Sequence, residues 1–223
     1  MKFIHDDQPQ GVYDAFNKFI FSSDRKLYAK LISKYFFAEM TKDIPGDIVE
    51  LGVFKGSGMV AWLKALELSS VNYKKTLGFD FFNDNDLLNS INTKDKEVMQ
   101  SLFEDRGFDP KGYDVTLGNL LIDANFNNYE LIKGDVTETV PAYLKQNPGF
   151  RASIINFDMD IEEPTEICLD LLWPRVCRGG VLVFDEYAIN EWTESNAVDR
   201  FCNKHQLELK STPYFAPSAY LIK

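Results

Sequence analysis

Acidic side chains follow the fourth and fifth of five apolar segments that recur along this chain. They are Asp158 and Asp160 after one segment, and Asp185 and Glu186 after the next. In an open parallel sheet the carboxyl ends of the strands meet at one edge, where ligands bind. Four carboxylates gathered there repel one another unless a cation lies between them or protons are taken up. Their hard oxygens suit Mg²⁺, Ca²⁺ or Mn²⁺, and the lack of nearby His or Cys disfavours zinc.

These acids predict metal-assisted chemistry on a hydroxyl group. We expect Asp158, Asp185 and Glu186 to hold a divalent ion that binds a substrate hydroxyl and lowers its pKa. Asp160 would then take the proton as general base, with Asp158 as the other member of the catalytic D-x-D pair. The alternative, in which some of these carboxylates cap helices or face solvent, stays open, above all for Asp160.

A glycine-rich turn follows the first apolar segment. Glu50 closes that segment, and Gly52, Gly56, Ser57 and Gly58 follow it. Such a turn before a helix lets backbone N–H groups approach a ligand without hindrance from Cβ atoms, which predicts a nucleoside-binding site. Its G-x-x-x-G-x-G spacing departs from the G-x-G-x-x-G dinucleotide fingerprint and disfavours an NAD-dependent oxidoreductase. Glycine turns also serve ordinary strand-to-helix packing.

Two further acids stand at strand ends between the turn and the acidic pairs. A carboxylate after the second strand, here Asp80, can accept both hydroxyl protons of a ribose. Asp135, after the third strand, could accept a hydrogen bond from an adenine amino group, with Val136 packing against the ring. Each acid could instead cap a helix; the upstream turn favours ribose binding for Asp80, and for Asp135 the two alternatives are equally open.

Strands and helices alternate through most of the chain. Hydrophobic patterns predict strands at 47–53, 76–82, 129–134, 152–158 and 180–184, and helices at 58–68, 139–146, 165–177 and 196–205. This alternation predicts an α/β fold with a doubly wound, mostly parallel sheet covered on both faces. Two short strands, 207–213 and 219–223, are too close in sequence for a crossover and predict a C-terminal antiparallel hairpin, for seven strands in all.

The remaining segments frame this core. Helical spacing of apolar residues predicts an N-terminal helical layer over 1–45, and the catalytic core then occupies 46–223. The segment 83–128 is an insertion at a strand end, which either covers the active site or is a surface helix without a substrate role. No Pro/Ser linker or repeat divides the chain, so 1–223 is predicted to be a single domain.

Composition narrows the partners. Lys and Arg number 24 against 34 Asp and Glu, a formal net charge of −10, which disfavours nucleic acid and membrane surfaces. The three cysteines lack C-x-x-C spacing, which argues against a disulfide framework and fits a reducing cytoplasm. Acidic residues follow the start closely, so we expect no secretory signal, and no apolar run approaches the roughly 18 residues of a membrane span.

Together these segments resemble the macrocin O-methyltransferase family, which belongs to the class I S-adenosylmethionine (SAM) methyltransferases and methylates hydroxyls on sugars of macrolides and related natural products. The resemblance covers about residues 44–205. It rests on 48–58 (IVELGVFKGSG), 78–82 (GFDFF), 132–135 (IKGD), 157–160 (FDMD) and 179–187 (GGVLVFDEY), and continues through Trp192 and 197–201 (AVDRF). The E-x-G-x-x-x-G turn resembles the first motif of SAM methyltransferases.

The resemblance implies a SAM- and magnesium-dependent enzyme. By position, Asp158, Asp185 and Glu186 match the metal ligands, and Asp160 matches the second acid of the D-x-D pair, a candidate base. Two departures lie near the expected acceptor site: 161–165 reads IEEPT where the family usually has L-Y-x-S-T, and Glu194 stands where a glycine is usual.

Three functions follow as hypotheses. The first is methyl transfer from SAM to a hydroxyl of a sugar-containing small molecule in natural product biosynthesis. The second keeps SAM and metal but uses a catechol or phenol, whose adjacent oxygens chelate the ion. The third is a non-catalytic SAM-binding module. The N-terminal helices are a plausible contact in a homo-oligomer.

Overall fold

A computed structural model of the chain describes residues 9–71, 73–91, 93–105, 107 and 109–223. The first eight residues of the predicted N-terminal layer therefore lie outside the described part. The helices are α1 (Pro9–Ile20), α2 (Arg25–Met40), α3 (Ser57–Leu68), α4 (Asp84–Ser90), α5 (Thr93–Asp105), α6 (Tyr113–Asp123), α7 (Val136–Gln146), α8 (Glu162–Leu172) and α9 (Glu194–His205). The strands are β1 (Asp47–Leu51), β2 (Thr76–Asp80), β3 (Tyr129–Lys133), β4 (Ala152–Phe157), β5 (Val176–Phe184), β6 (Lys210–Ser211) and β7 (Ala219–Ile222).

The seven strands form one sheet in the order β3-β2-β1-β4-β5-β7-β6. Strands β1 to β5 pair in parallel, whereas β7 runs antiparallel to both β5 and β6. This arrangement confirms the predicted parallel sheet that ends in an antiparallel hairpin. The strand order reverses between β1 and β4, and a crevice at such a switch point is where open α/β sheets bind ligands.

Both faces of the sheet are covered, which explains why most residues of its central strands are apolar. All six residues of β4 are buried. On one face, Trp62 and Leu66 of α3 and Phe37 of α2 pack against residues such as Ile48 and Ile154. The opposite face packs against α7, α8 and α9 and forms the largest cluster of buried side chains. The helices thereby hold the carboxyl ends of the strands in fixed positions.

Several predicted boundaries are wrong. The strand predicted at 180–184 spans Val176–Phe184, and the one predicted at 207–213 is only Lys210–Ser211. The helix predicted over 165–177 ends at Leu172, a 3₁₀ turn spans Trp173–Arg175, and β5 begins at Val176. Pro174 lies in that turn, and its missing N–H and fixed φ account for the end of the helix. Cys177 therefore lies in β5, not on a helix.

The N-terminal helices and the insertion have separate places in the fold. Helix α2 packs along α3, and the insertion contributes α4, α5 and α6 between β2 and β3. Within the described ranges, no helix combines the length and apolar character that crossing a membrane requires.

Candidate active site

A cavity of about 910 Å³ opens at the carboxyl ends of the strands. This volume lies in the upper part of the range of roughly 300–1,000 Å³ that is typical of small-molecule sites. Its walls come from α2, the glycine turn, the insertion and the ends of β2 to β5. Ten of the twelve predicted site residues line the cavity: Glu50, Gly52, Ser57, Gly58, Asp80, Asp135, Val136, Asp158, Asp160 and Glu186. The other two, Gly56 and the fully buried Asp185, are not part of the wall.

The glycine turn requires glycine at its first and last predicted positions. A Cβ on Gly52, whose φ is +92°, would lie 2.0 Å from the backbone oxygen of Asp158, and a Cβ on Gly58 would lie 2.0 Å from Oε1 of Glu50. The glycine turn therefore packs directly against Asp158 and Glu50, with no room for a side chain between them. Ser57, the first residue of α3, faces the cavity.

Gly56 is required for a different reason. Its φ of +82° is left-handed, and a Cβ there would meet the side chain of Leu117 in α6 at 2.3 Å. Gly56 caps α3 and is absent from the cavity wall, so it shapes the turn against the insertion.

Asp80 holds the turn from the neighbouring strand. Its Oδ2 accepts hydrogen bonds from the backbone N–H groups of Val53 and Phe54 at 2.7 and 2.8 Å. Its Oδ1 accepts from the N–H of Phe82 at 2.9 Å. An oxygen that accepts one bond still has acceptor capacity, so Asp80 organises the turn and keeps one position open towards the cavity.

Asp135 caps α7. Its Oδ1 accepts hydrogen bonds from the backbone N–H and the hydroxyl of Thr137 at 2.8 and 2.7 Å. The capping alternative for Asp135 is therefore present. Both bonds use the same oxygen, and Asp135 and the buried Val136 still line the cavity, so capping leaves Oδ2 for a ligand.

The four predicted acids meet as expected, in a region of low solvent exposure. Asp185 is fully buried and Glu186 nearly so. Burial, followed by the charges of Asp158 and Glu186, raises the pKa of Asp160 to about 7. Burial, followed by the charge of Asp158, also raises the pKa of Asp185 well above its usual range. Oδ1 of Asp160 is buried without a hydrogen-bond partner in the described part of the chain.

Glu194 joins this group. Its side chain is fully buried at the start of α9, and neither carboxyl oxygen has a hydrogen-bond partner among the described residues. Burial, followed by the charges of Asp160 and Asp185, raises its pKa well above the usual value. The sequence marks Glu194 only as a departure from the family that it resembles, whereas the structure places its side chain beside Asp160 and Asp185.

Three lysines of α2 meet the acids, and the sequence analysis missed them. Nζ of Lys30 lies 2.6 Å from Oδ2 of Asp185 and 3.1 and 3.2 Å from the two oxygens of Asp158. Burial opposes ionisation of Asp158, but the charges of Lys30 and Lys34 outweigh it and hold the pKa of Asp158 below its usual range.

The other two lysines flank Lys30 at intervals of four residues. Lys26 pairs with Glu186, and Nζ of Lys34 lies 3.6 Å from Oε1 of Glu50. Residues four apart share one face of a helix. The 26-30-34 spacing therefore indicates a basic stripe along α2, but it does not tell whether that stripe faces the solvent or the acids.

The donor chemistry of the acids suits a divalent ion, but their arrangement does not. The oxygens of Asp158 and Asp185 close around the ammonium group of Lys30. Across the described ranges, no group of three His, Cys, Asp or Glu side chains is arranged to hold a metal ion. The predicted Mg²⁺ site is not supported by this geometry.

The insertion forms part of the cavity wall, which favours the covering role over the surface-helix alternative. Leu87 of α4 and Asp95 and Met99 of α5 line the cavity. The hydroxyl of Thr193 donates a hydrogen bond to Oδ1 of Asp95 at 2.9 Å and accepts one from the N–H of Glu162. These bonds tie the insertion to α8 and to the segment before α9.

The segment 161–165, which differs from the usual family sequence, also contributes to the cavity wall. Ile161, Glu163 and Pro164 line the cavity, as does Trp192. Tyr187 is not part of the wall, and its hydroxyl donates a hydrogen bond to Oδ1 of Asp199 at 2.8 Å. The part of the wall that differs from the usual family sequence is therefore the part beside the acids.

Comparison with known proteins identifies relatives. Residues 32–212 match the family described as Macrocin-O-methyltransferase (TylF). The 8-demethyl-8-(2,3-dimethoxy-alpha-L-rhamnosyl)-tetracenomycin-C 4'-O-methyltransferase of Streptomyces olivaceus is 27% identical over 152 residues, covering 66% of this chain. That match covers 55% of the relative, so the chain spans about half the length of the curated relative.

Two solved structures share the fold. The apo structure of CalS11, a TDP-rhamnose 3'-O-methyltransferase of calicheamicin biosynthesis, has a TM-score of 0.72 and 25% identity and covers 99% of this chain and 90% of its own. The O-methyltransferase NovP has a TM-score of 0.70 and 21% identity, with coverages of 87% and 79%. The likeness to NovP shows the fold alone.

Proposed function

Because the chain belongs to the macrocin O-methyltransferase family, we propose that it transfers a methyl group from SAM to a hydroxyl of a sugar-containing small molecule. One observation carries the proposal. One cavity joins the glycine turn to the acidic strand ends, so that the wall expected to bind the nucleoside and a candidate base face the same space. The rhamnose-linked names of the curated relative and of CalS11 support a sugar acceptor.

The cofactor side of the cavity fits a nucleoside. Ser57 and Gly58 bring the N-terminus of α3 to the cavity wall, and a helix N-terminus presents unpaired N–H groups. Asp80 would accept from the ribose through its remaining acceptor capacity, and Asp135 would accept from the adenine amino group through Oδ2, beside Val136. When bound, SAM supplies a methyl group on a sulfonium, which is reactive towards an oxygen nucleophile.

The acidic side of the cavity would prepare that oxygen. Asp160 lines the cavity, and its buried Oδ1 has no hydrogen-bond partner among the described residues. An acceptor hydroxyl placed there would donate its proton to Asp160, which thereby acts as general base. The cavity walls would hold the acceptor oxygen in line with the methyl group, and this positioning is most of what the reaction requires of a protein.

Metal dependence stays a prediction of the sequence and forms no step of this mechanism. The ligands predicted for Mg²⁺, namely Asp158, Asp185 and Glu186, are all paired with lysines of α2. The catechol hypothesis depends on two adjacent oxygens that chelate a metal ion. Without an ion at these acids, the main reason for expecting a catechol acceptor is gone.

The experiment is a methylation assay with purified protein and labelled SAM. The acceptors are TDP-rhamnose, rhamnosylated aglycones and, for comparison, catechols; S-adenosylhomocysteine (SAH) binding is measured by calorimetry. We expect transfer to a sugar, and an Asp160→Asn variant that loses at least about 100-fold in rate, as is common when a general base is removed, but keeps its SAH affinity. SAH binding without transfer to any acceptor would favour the non-catalytic module. Unchanged activity in Asp160→Asn would refute the assigned base.

A further inference from the structure

The ammonium group of Lys30 lies where the sequence predicts a divalent ion. It is within 3.2 Å of both oxygens of Asp158 and 2.6 Å from Oδ2 of Asp185. Those are two of the three predicted metal ligands, and the third, Glu186, pairs with Lys26. Every predicted ligand therefore already has a cation from α2.

An ion and this ammonium group would compete for the same oxygens. Divalent ions bind carboxylate oxygens at about 2.0–2.6 Å, which is nearly the distance that separates Lys30 from Asp185. An ion held by Asp158 and Asp185 would thus lie against a like charge in a poorly hydrated site, where repulsion is strong. Either the ion or Lys30 occupies the position.

The anchoring of α2 favours Lys30. Its neighbour Lys34, one turn further along, is 3% exposed, pairs with the buried Glu50 and lies 4.7 Å from the centre of the Trp62 ring. Phe37, on the next turn, is fully buried against the sheet. The helix that carries Lys30 is therefore packed into the core and holds the ammonium group at the acids.

We propose that Lys30 supplies, in place of a divalent ion, the positive charge that binds the acceptor oxygen. This inference rests on the proposed function. Lys30 is 24% exposed and lines the cavity together with Asp160. With one N–H shared between the two oxygens of Asp158 and a second on Asp185, its third N–H would be left for a bound hydroxyl. In this position one lysine would both neutralise the acids and contact the substrate.

The step balances without a metal. The acceptor hydroxyl gives its proton to Asp160, and an oxygen lone pair forms the new bond to the methyl carbon. The carbon–sulfur bond breaks, its electron pair stays on sulfur, and SAH leaves. Lys30 keeps its proton throughout and stabilises the negative charge that develops on the oxygen, as preorganised donors do in other active sites.

Metal binding tests the position of Lys30 without any acceptor. Mn²⁺ is titrated into the full chain and followed by electron paramagnetic resonance, for the wild type, Lys30→Met, Lys30→Arg and the control Lys42→Met. Lys42 pairs with Glu39 and is not part of the cavity wall. We expect weak Mn²⁺ binding in the wild type, Lys30→Arg and Lys42→Met. Lys30→Met should bind Mn²⁺ more tightly by at least about tenfold, because the opposing charge is gone.

Methyl transfer in excess EDTA tests the role of Lys30. The wild type and Lys42→Met should keep full activity, and Lys30→Met should lose at least about 100-fold in kcat, the scale of losing one charge-stabilising donor, with SAH affinity unchanged. Tight, stoichiometric Mn²⁺ binding by the wild type that Asp185→Asn removes would overturn the proposal, and so would activity that EDTA abolishes. The wild-type titration decides even if Lys30→Met does not fold. A wild type that methylates no acceptor would refute the proposed function instead.

Discussion

Asp80→Asn should loosen the glycine turn and thereby weaken both folding and cofactor binding. The carboxylate of Asp80 accepts three backbone hydrogen bonds, two from the turn at Val53 and Phe54 and one from Phe82. An asparagine has one acceptor oxygen and one NH₂ group. If the oxygen stays with the turn, the NH₂ group faces the N–H of Phe82, and two donors oppose each other.

The size of the effect follows from the bonds. A hydrogen bond to a charged group contributes about 1.5–3 kcal/mol and a neutral one about 0.5–1.5 kcal/mol. Weakening the two bonds from the turn and losing the bond from Phe82 should lower the free energy of unfolding by about 3–5 kcal/mol in total. For a domain of this size, 1 kcal/mol corresponds to about 2–4 °C, so that change lowers Tm by about 6–20 °C.

Thermal unfolding and SAH calorimetry measure the two consequences. The control is Asp114→Asn, which removes the same charge from a partly exposed pair with Lys133. It should lower the free energy of unfolding by less than about 1 kcal/mol. SAH affinity should fall by at least about tenfold in Asp80→Asn, equivalent to about 1.4 kcal/mol, and stay unchanged in the control. Equal Tm values for the two variants would refute the assignment of Asp80 as the residue that holds the turn.

Two further substitutions test the site. Gly58→Ala should lower the free energy of unfolding by about 1–3 kcal/mol, because the added methyl group overpacks against Glu50. In the control Gly118→Ala nothing lies within 4 Å of the new methyl group, and the change should stabilise α6 by up to about 1 kcal/mol. Thermal unfolding of the two variants measures both effects. The pKa of Glu194 is higher in the folded protein than in the unfolded chain. As pH rises, the unfolded chain therefore releases this proton at a lower pH than the folded protein does. The stability present at low pH is lost as pH rises towards the folded pKa. Urea unfolding should therefore show Glu194→Gln gaining stability over the wild type from pH 5 to pH 8; a constant difference would contradict this.

The sheet and most site positions could be predicted because they depend on local patterns. Apolar segments that end in an acid mark strand ends, and parallel strands bring those ends together whatever their separation in sequence. That rule alone predicts that Asp158, Asp160, Asp185 and Glu186 lie close together. The glycine turn was predictable for the same reason, since the left-handed φ of Gly52 and Gly56 excludes most other residues.

The lysine stripe could not be predicted by the same means. A lysine on a helix is usually solvated, and Lys30 differs only because α2 packs its stripe towards acids that lie 128 residues away in the sequence. The acids alone indicated that a cation was needed, and a metal was the simplest candidate. The end of α8 was missed because the apolar periodicity continues through Pro174, which cannot continue the backbone hydrogen bonding.

The most direct test of the central claim is to identify the methylated product by NMR after incubation with methyl-labelled SAM and the sugar acceptors named above. We expect a new O-methyl group on a sugar ring with the wild type and none with Asp160→Asn, although that variant still binds SAH. Label on a catechol oxygen alone, or no transfer to any acceptor by a wild type that binds SAH, would contradict the account.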